Sequence, residues 1–363
     1  MKKKIKILHV IPIFATGGAE RLVLQYAKLF DKETYEIFVA SCVDDGELRK
    51  KFEELKNISV YIGSRREGGR IRAYQKLAEY VAHIQPDIIH THLLSADLFG
   101  YLMKKRYGNR IRWITTMHNI ELATSLWRQL LWKFILKKAE KVISVSERVE
   151  KFTHDIFHIK KDRSVVSRNG VETEQWLRVP VRMIGRDKTL HLASVGRLWE
   201  QKGHVFLLQA LALINDIPTV LHIFGDGPLR KKLQAEAHHL GIEGRVIWHG
   251  IQGDMPQNIK DIDIVVQASL WEGLSLVVME MMAAGKIVIT TPAGGDELID
   301  NGHTGFIVPV KNSSALAEKI RFVYENKKNM DKIARAARAY AQENFDISKN
   351  IHELEKIYTN IRA

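Results

Sequence analysis

Residues 262–291 read IDIVVQASLWEGLSLVVMEMMAAGKIVITT. Ile262 to Ala268 is a short apolar run of the length of a buried strand, and it ends in a polar, glycine-containing loop. The stretch from Leu274 to Ala284 follows with helical character, Gly285 ends it, and Lys286 to Thr291 is a second strand-like run. Apolar strands alternating with helices mark a parallel sheet covered on both faces.

The same rhythm extends in both directions. Strand-like runs in the second half are 189–195, 219–224 and 245–249, with helix-like runs at 204–214, 228–240 and 313–325. The first half has apolar runs at 5–13, 35–41, 57–62, 87–91, 111–116, 141–145 and 163–167. Helical patterns lie between most of them, at 18–30, 70–84, 95–107 and 124–138. Two such series predict two Rossmann-like α/β domains, drawn here as 1–175 and 176–345. The stretch 172–188, with Pro180 and Gly185 and no clear period, reads as the linker. A length of 363 residues suits two cores, and 45% apolar with 27% charged residues is an ordinary globular composition. The single cysteine, Cys42, excludes an internal disulfide and a cysteine-based metal site, and fits a reducing compartment. Met1 to Lys4 followed by Ile7 to Ala15 imitates a signal peptide. His9, Pro12 and the missing cleavage site make it a first buried strand instead. No apolar run is long enough for a transmembrane helix.

Ligands of open parallel sheets collect at the carboxyl ends of strands, and motifs follow several strands here. Gly17 and Gly18 open a helix directly after the first strand, where backbone N–H groups and the helix field favour an oxyanion; a tight turn is the alternative. Gly196 ends another strand, and Arg197 and Lys202 follow five residues apart, positioned to grip one pyrophosphate. Fixed cations there would stabilise a departing diphosphate as its charge grows. Glu272 and Glu280 flank the first turns of the helix in the opening stretch, and carboxylates suit sugar hydroxyls or a vicinal ribose diol. Glu280 lies among Val277, Val278, Met281 and Met282, so it needs a partner. Gly225, in Phe224-Gly225-Asp226-Gly227, lines the nucleotide pocket or is a structural turn. His118 stands at a strand end as a candidate site residue.

No metal site is expected. Asp261-Ile262-Asp263 sits at a strand's entry rather than its exit. His238 and His239 do not share a helix face, and His90 and His92 point the same way from a strand but show no third ligand.

Taken together these motifs resemble the family-4 retaining glycosyltransferases of the GT-B fold, over roughly residues 5–345. The most specific element is Glu272-x7-Glu280 within Glu-Gly-Leu…Glu-Met-Met-Ala-Ala-Gly. The Gly-Gly-Ala-Glu-Arg loop, the Gly-Arg-Leu…Gln-Lys-Gly block, Asn169-Gly170-Val171 and the segment 294–309 also match. The chain departs from the family pattern at Asn119, Arg168 and Leu274, and at Ile287, where Gly285-Lys286-Ile287 replaces a common Gly-x-Pro. The resemblance implies a UDP- or GDP-sugar donor and no cofactor. Arg197 and Lys202 would hold the diphosphate, with Gly18 approaching the phosphate from the first domain. Glu280 would hold the ribose, and Glu272 with Gly273, Leu274 and Ser275 would contact the donor sugar. His118 would face the reacting carbon. The final helix, within 346–363, would cross back to the first domain. The acceptor would be a glycan or lipid-linked glycan, with bacterial surface polysaccharide or lipopolysaccharide synthesis as the family-level expectation.

Charge adds a partner. Residues 1–180 hold 33 Lys/Arg against 21 Asp/Glu, whereas the remainder is nearly balanced. In 124–138, Trp127 and Trp132 interleave with Arg128, Lys133 and Lys137, as in an interfacial helix on an anionic membrane; a sheet-packed helix with a basic outer face is the alternative. The expected location is therefore cytoplasmic, against the inner face of the cell membrane. Nucleic acid is not expected as a partner, since no helix-turn-helix, RNP-like strand or zinc knuckle is present. A GT-B phosphorylase or epimerase and an inactive binding homologue are the competing readings.

Overall fold

The computed structural model describes residues 3–120, 125–181, 184 and 188–362. The predicted start of the basic helix at Thr124 and part of the predicted linker, at 182, 183 and 185–187, lie outside these residues. The chain forms two compact units, 1–169 with 347–363, and 170–346.

The first unit runs β1 (Ile5–Ile13), α1 (Gly18–Leu29), β2 (Tyr35–Asp44), α2 (Arg49–Glu53), β3 (Ser59–Ile62), α3 (Gly69–Ile84), β4 (Ile88–His92) and α4 (Leu94–Tyr107). It continues through β5 (Arg112–Met117), α5 (Leu126–Leu136), β6 (Lys141–Ser144), α6 (Glu147–Phe157) and β7 (Ser164–Val166). The sheet order is β3-β2-β1-β4-β5-β6-β7, with every pairing parallel.

The second unit runs α7 (Thr173–Leu177), β8 (Leu190–Val195), α8 (His204–Ala212), β9 (Thr219–Phe224), α9 (Arg230–His239), β10 (Val246–Gly250), α10 (Met255–Asn258) and β11 (Ile264–Gln267). It continues through α11 (Leu276–Ala283), β12 (Ile287–Thr290), α12 (Pro292–Gly295), β13 (Phe306–Ile307), α13 (Ser313–Glu325) and α14 (Lys327–Asn344). Its parallel sheet has the order β10-β9-β8-β11-β12-β13. The domain boundary drawn at 175 falls inside α7, which packs on α11 and α14 of this unit.

The central strands are buried on both faces, which is why they read as largely apolar runs, with His9, His90, His92 and Gln267 among the buried polar residues within them. Lys286 is a buried charge beside them. It is fully buried at the entry to β12, and its ammonium donates to Lys260 O at 2.8 Å and Ile262 O at 2.9 Å. Those two carbonyls give the charge the hydrogen bonds that burial demands.

The last helix, α15 (Ile347–Arg362), belongs to the first unit. Ile347, Ile351, Leu354, Tyr358 and Ile361 recur at helical spacing and enter that unit's core. The Tyr26 hydroxyl donates to Asn350 Oδ1 at 2.6 Å, and Asn350 Nδ2 donates to Ser167 Oγ at 2.8 Å, fixing the docking. The helix α14 had no counterpart in the sequence reading. Its inward stripe is Met330, Ala334, Ala337 and Ala341, one methionine and three alanines on an otherwise polar helix, so the face that reaches the core carries little apolar bulk.

Candidate functional site

Each sheet reverses its strand order once, between β1 and β4 and between β8 and β11. Crevices outside the carboxyl ends of strands at such reversals are the ligand sites of open α/β sheets. The predicted site residues fall at both.

In the second unit the loop after β8 carries Gly196, Arg197 and Lys202, and the loop after β11 carries Glu272, Gly273, Leu274 and Ser275. Lys202 Nζ donates to Glu272 Oε1 at 2.8 Å, and the Ser269 hydroxyl donates to the same oxygen. Both members of this ion pair are largely buried. The loops are further stitched by Leu270 N–H to Gln201 O at 2.7 Å and Gln201 Nε2 to Trp271 O at 2.9 Å. Below them Gln267 Nε2 donates to Val195 O at 2.9 Å across the two strands. Sequence reasoning missed Ser269, Gln201 and Gln267. The one available signal was Gln267, a polar side chain inside an apolar run.

Glycine is required where the loops touch. Gly225, after β9, has φ +136°, and a Cβ there would collide with the Gly196 carbonyl oxygen. Gly196 has φ +150°, and its backbone lies against the aliphatic stem of Lys202. Two backbones therefore meet at the strand ends, where no side chain intervenes. Arg197 is exposed, with its guanidinium 5.6 Å from the Trp199 ring centroid. Glu280 is buried on α11, and Leu274 and Ser275 are buried at its start. Asp263 lies at the other end of β11, where its carboxylate accepts the His191 N–H at 2.8 Å.

In the first unit Gly17 is the N-cap of α1, with Gly18 its first residue. The Glu20 carboxylate folds back over this turn, so close that any side chain at position 17 would meet it. The geometry is that of a helix start whose third residue reaches back toward the cap. His118 follows β5 and is half-buried at the carboxyl edge of the sheet.

Behind His118 is a histidine cluster that the sequence did not reveal. His90 and His92 do have a third neighbour, His9 on β1, which the register places beside His90. It was missed because strands β1 and β4 are adjacent in space but separated by two intervening strands and three helices in sequence. Burial lowers His9 and His118 to about 3 and holds His90 and His92 well below the ordinary 6.5. The folded state thus keeps these rings neutral while an unfolded chain protonates them below 6.5. Their stabilising contribution is present above pH 6.5 and is lost as pH falls toward 3. Asp97, raised to about 6 by burial, acts in the opposite sense, losing its contribution as pH rises through 6. With four rings against one acid, the melting temperature should fall steadily from pH 7 to pH 5. A flat profile over that window would contradict the neutral cluster.

The helix α5 divides its predicted membrane residues. Trp127 is 65% exposed and Arg128 and Lys137 are exposed, with Lys133 intermediate. Trp132 is corrected. It is 3% exposed, and its indole N–H donates to buried Asp97 Oδ2 at 2.9 Å. Asp97 also accepts from Thr91 and Thr115, so Trp132 anchors α5 to α4 and the sheet. Its place outside is taken by Leu126, Leu130, Leu131 and Phe134, all exposed. Among the described residues, no helix is long and apolar enough to cross a membrane.

The family described as Glycosyltransferase Family 4 matches residues 16–175, and that described as Glycosyl transferases group 1 matches 184–340. N-acetyl-alpha-D-glucosaminyl L-malate synthase of Bacillus anthracis is 25% identical, over 79% of this chain and 78% of its own. UDP-Gal:alpha-D-GlcNAc-diphosphoundecaprenol alpha-1,3-galactosyltransferase of Escherichia coli is 23% identical, over 99% and 97%. Among solved structures, Anabaena HepE in complex with UDP-glucose superposes with a TM-score of 0.87 at 22% identity, covering 98% of this chain and 100% of that one. With two parallel-sheet domains, the motifs at their strand ends and both family matches in register, the chain belongs to the group 1 glycosyltransferases of the GT-B fold.

Proposed function

We propose that the protein moves a hexosyl group from a nucleoside diphosphate sugar, UDP-hexose first among candidates, to a hydroxyl of a glycan or lipid-linked glycan. The observation that carries this reading is the Lys202–Glu272 pair at the β8/β11 reversal, a cation and a carboxylate held together beside Arg197 and the Gly196–Gly225 backbone contact. Cations and close backbone suit a diphosphate, and carboxylates suit sugar hydroxyls. The Escherichia coli relative is named for a UDP-Gal donor and an undecaprenol-linked acceptor, which supports the same classes here.

Transfer proceeds with retention. The acceptor oxygen bonds to the anomeric carbon on the face that the diphosphate leaves, and the hydroxyl proton passes to the departing phosphate oxygen. Arg197 and Lys202 stabilise the charge gathering on that leaving group, a task that otherwise falls to a metal ion. Turnover of an α-linked UDP-hexose should give an α-linked product, read by the anomeric proton coupling, and should be unchanged by EDTA. A β product, or loss of turnover in EDTA, would contradict the mechanism.

The exposed face of α5 meets an anionic bilayer. Leu126, Trp127, Leu130 and Phe134 supply the apolar contact, with Arg128, Lys137 and Lys138 around them and Lys138 Nζ 5.6 Å from the Phe134 ring centroid. Such a face binds by apolar insertion together with attraction to acidic headgroups. Replacing Trp127 and Leu130 by Ala should weaken binding to acidic vesicles by about thirtyfold or more, read by co-sedimentation, each buried large side chain supplying on the order of 1 kcal/mol or more. Equal binding to neutral and acidic vesicles would contradict it.

A further inference from the structure

Three imidazoles of the first unit lie in line. His9 Nδ1 is 3.2 Å from His92 Nε2, and His92 Nδ1 is 2.9 Å from His118 Nε2. His90 stands beside them but outside the line. Its Nδ1 is 2.8 Å from the Tyr358 hydroxyl, and its Nε2 is 2.7 Å from Thr116 Oγ1. Both His90 nitrogens are therefore engaged by hydroxyls.

Each link in the line needs one proton, and a neutral imidazole carries one N–H. Two arrangements satisfy both links, and they differ in direction. In one, every ring donates toward His118; in the other, every ring donates toward His9. The second leaves a proton on His9 Nε2, which is buried and has no hydrogen-bond partner among the described residues. The neighbouring His90, Tyr26 and Phe30 rings are tilted by 40°, 37° and 38° to His9, at centroid distances of 5.1, 5.9 and 6.4 Å, rather than edge-on. An orphaned buried N–H is rarer than an under-used acceptor. The first arrangement leaves only a lone pair at that position.

We propose that His9 and His92 act as positioning residues that lock His118 as its Nδ1–H tautomer, making the outermost ring a committed hydrogen-bond donor at Nδ1. The chain is cooperative, because one ring changes tautomer only if the others follow. His118 Nδ1 then donates to an oxygen of a bound ligand and takes no proton from it. In the transfer reaction, and resting on the reading of His118 as the sugar-facing ring, the acceptor of that hydrogen bond is an oxygen of the donor sugar. Strands β1 and β4 also offer His9, His90 and His92 as a trio for a metal ion. Binding there would break the His90 hydrogen bonds and bury a dication with no acid in the trio, so the chain is the better account.

The test is made on the full chain labelled with 15N-histidine, without nucleotide, at pH 7.5. Long-range 1H–15N correlations should show His118 protonated at Nδ1 and bare at Nε2, and His9→Phe should release it into a mixture of tautomers. Turnover in His9→Phe should fall about tenfold with KM for the donor little changed, as when a partner that orients a working ring is removed. His118 protonated at Nε2 in the wild type, or a tautomer unmoved in His9→Phe, would overturn the proposal. So would added zinc shifting the nitrogens of His9, His90 and His92 together. His92→Phe, which cuts the adjacent link, gives a second reading of the same tautomer should His9→Phe misfold. The tautomer is read on the free protein, so a failure of the transfer assay alone leaves it standing and counts against the functional reading instead.

Discussion

Lys202→Met should lower kcat by about 10²–10³-fold, the loss seen when one fixed group that stabilises transition-state charge is removed. Methionine keeps the aliphatic stem on which the Gly196 backbone rests and removes only the ammonium. The effect should appear in kcat and kcat/KM alike, because leaving-group charge grows only in the transition state. The structure supplies a rival explanation, since Lys202 also holds Glu272 at 2.8 Å. Glu272→Gln in the Lys202→Met background separates the two. If Lys202 serves chiefly to neutralise Glu272, neutralising both should restore much of the activity. If it serves the diphosphate, the double variant stays at or below the single one, and steady-state kinetics on the pair reads the difference.

Trp132→Ala should destabilise the protein by about 3–5 kcal/mol, the usual range for removing a large aromatic side chain from a core. Its loss empties the space between α5 and α6, where its ring lies 5.4 Å from Phe157, and strips Asp97 of its indole donor. Urea denaturation should therefore move far to lower midpoint. Trp127→Ala, five residues earlier on the same helix, should leave that midpoint nearly unchanged, because its side chain is already exposed. Two tryptophans with the opposite ranking would mean that α5 is turned the other way.

These two cases show what the sequence could reveal. Strand-helix alternation placed nearly every element of both sheets, because buried parallel strands are apolar on both faces and need no alternation to be recognised. The placing of Lys202, Glu272, Arg197 and Gly225 was legible for the same reason, as each follows such a strand at its carboxyl end. Trp132 was misassigned because an amphipathic basic helix looks alike whether its aromatic face meets lipid or protein; only the partner, Asp97 on α4, decides. The histidine line was hidden for a different reason. It is built across β1, β4 and the end of β5, and a contact between His9 and His92, 83 residues apart, leaves no local pattern. Ser269 was missed because a short polar side chain in a loop marks nothing until its partner is known, and Gln201, though inside the Gln-Lys-Gly block, gives no sign in the sequence of its bond to Trp271.

The proposed donor site lies at the strand ends between β8 and β11, where Arg197 and Lys202 would hold a nucleoside diphosphate. The most direct test is the melting temperature of the wild type, Arg197→Ala and Lys202→Met with UDP, GDP and ADP in the presence of EDTA, since a ligand that binds only the folded state raises it. A rise is expected with one of these nucleotides, UDP first, and it should be lost in both variants, because a free diphosphate already carries the charge that the sugar-linked donor gathers only in the transition state. A rise that persists in both variants would place the nucleotide elsewhere and contradict the site, and no rise with any nucleotide would contradict the donor assignment itself.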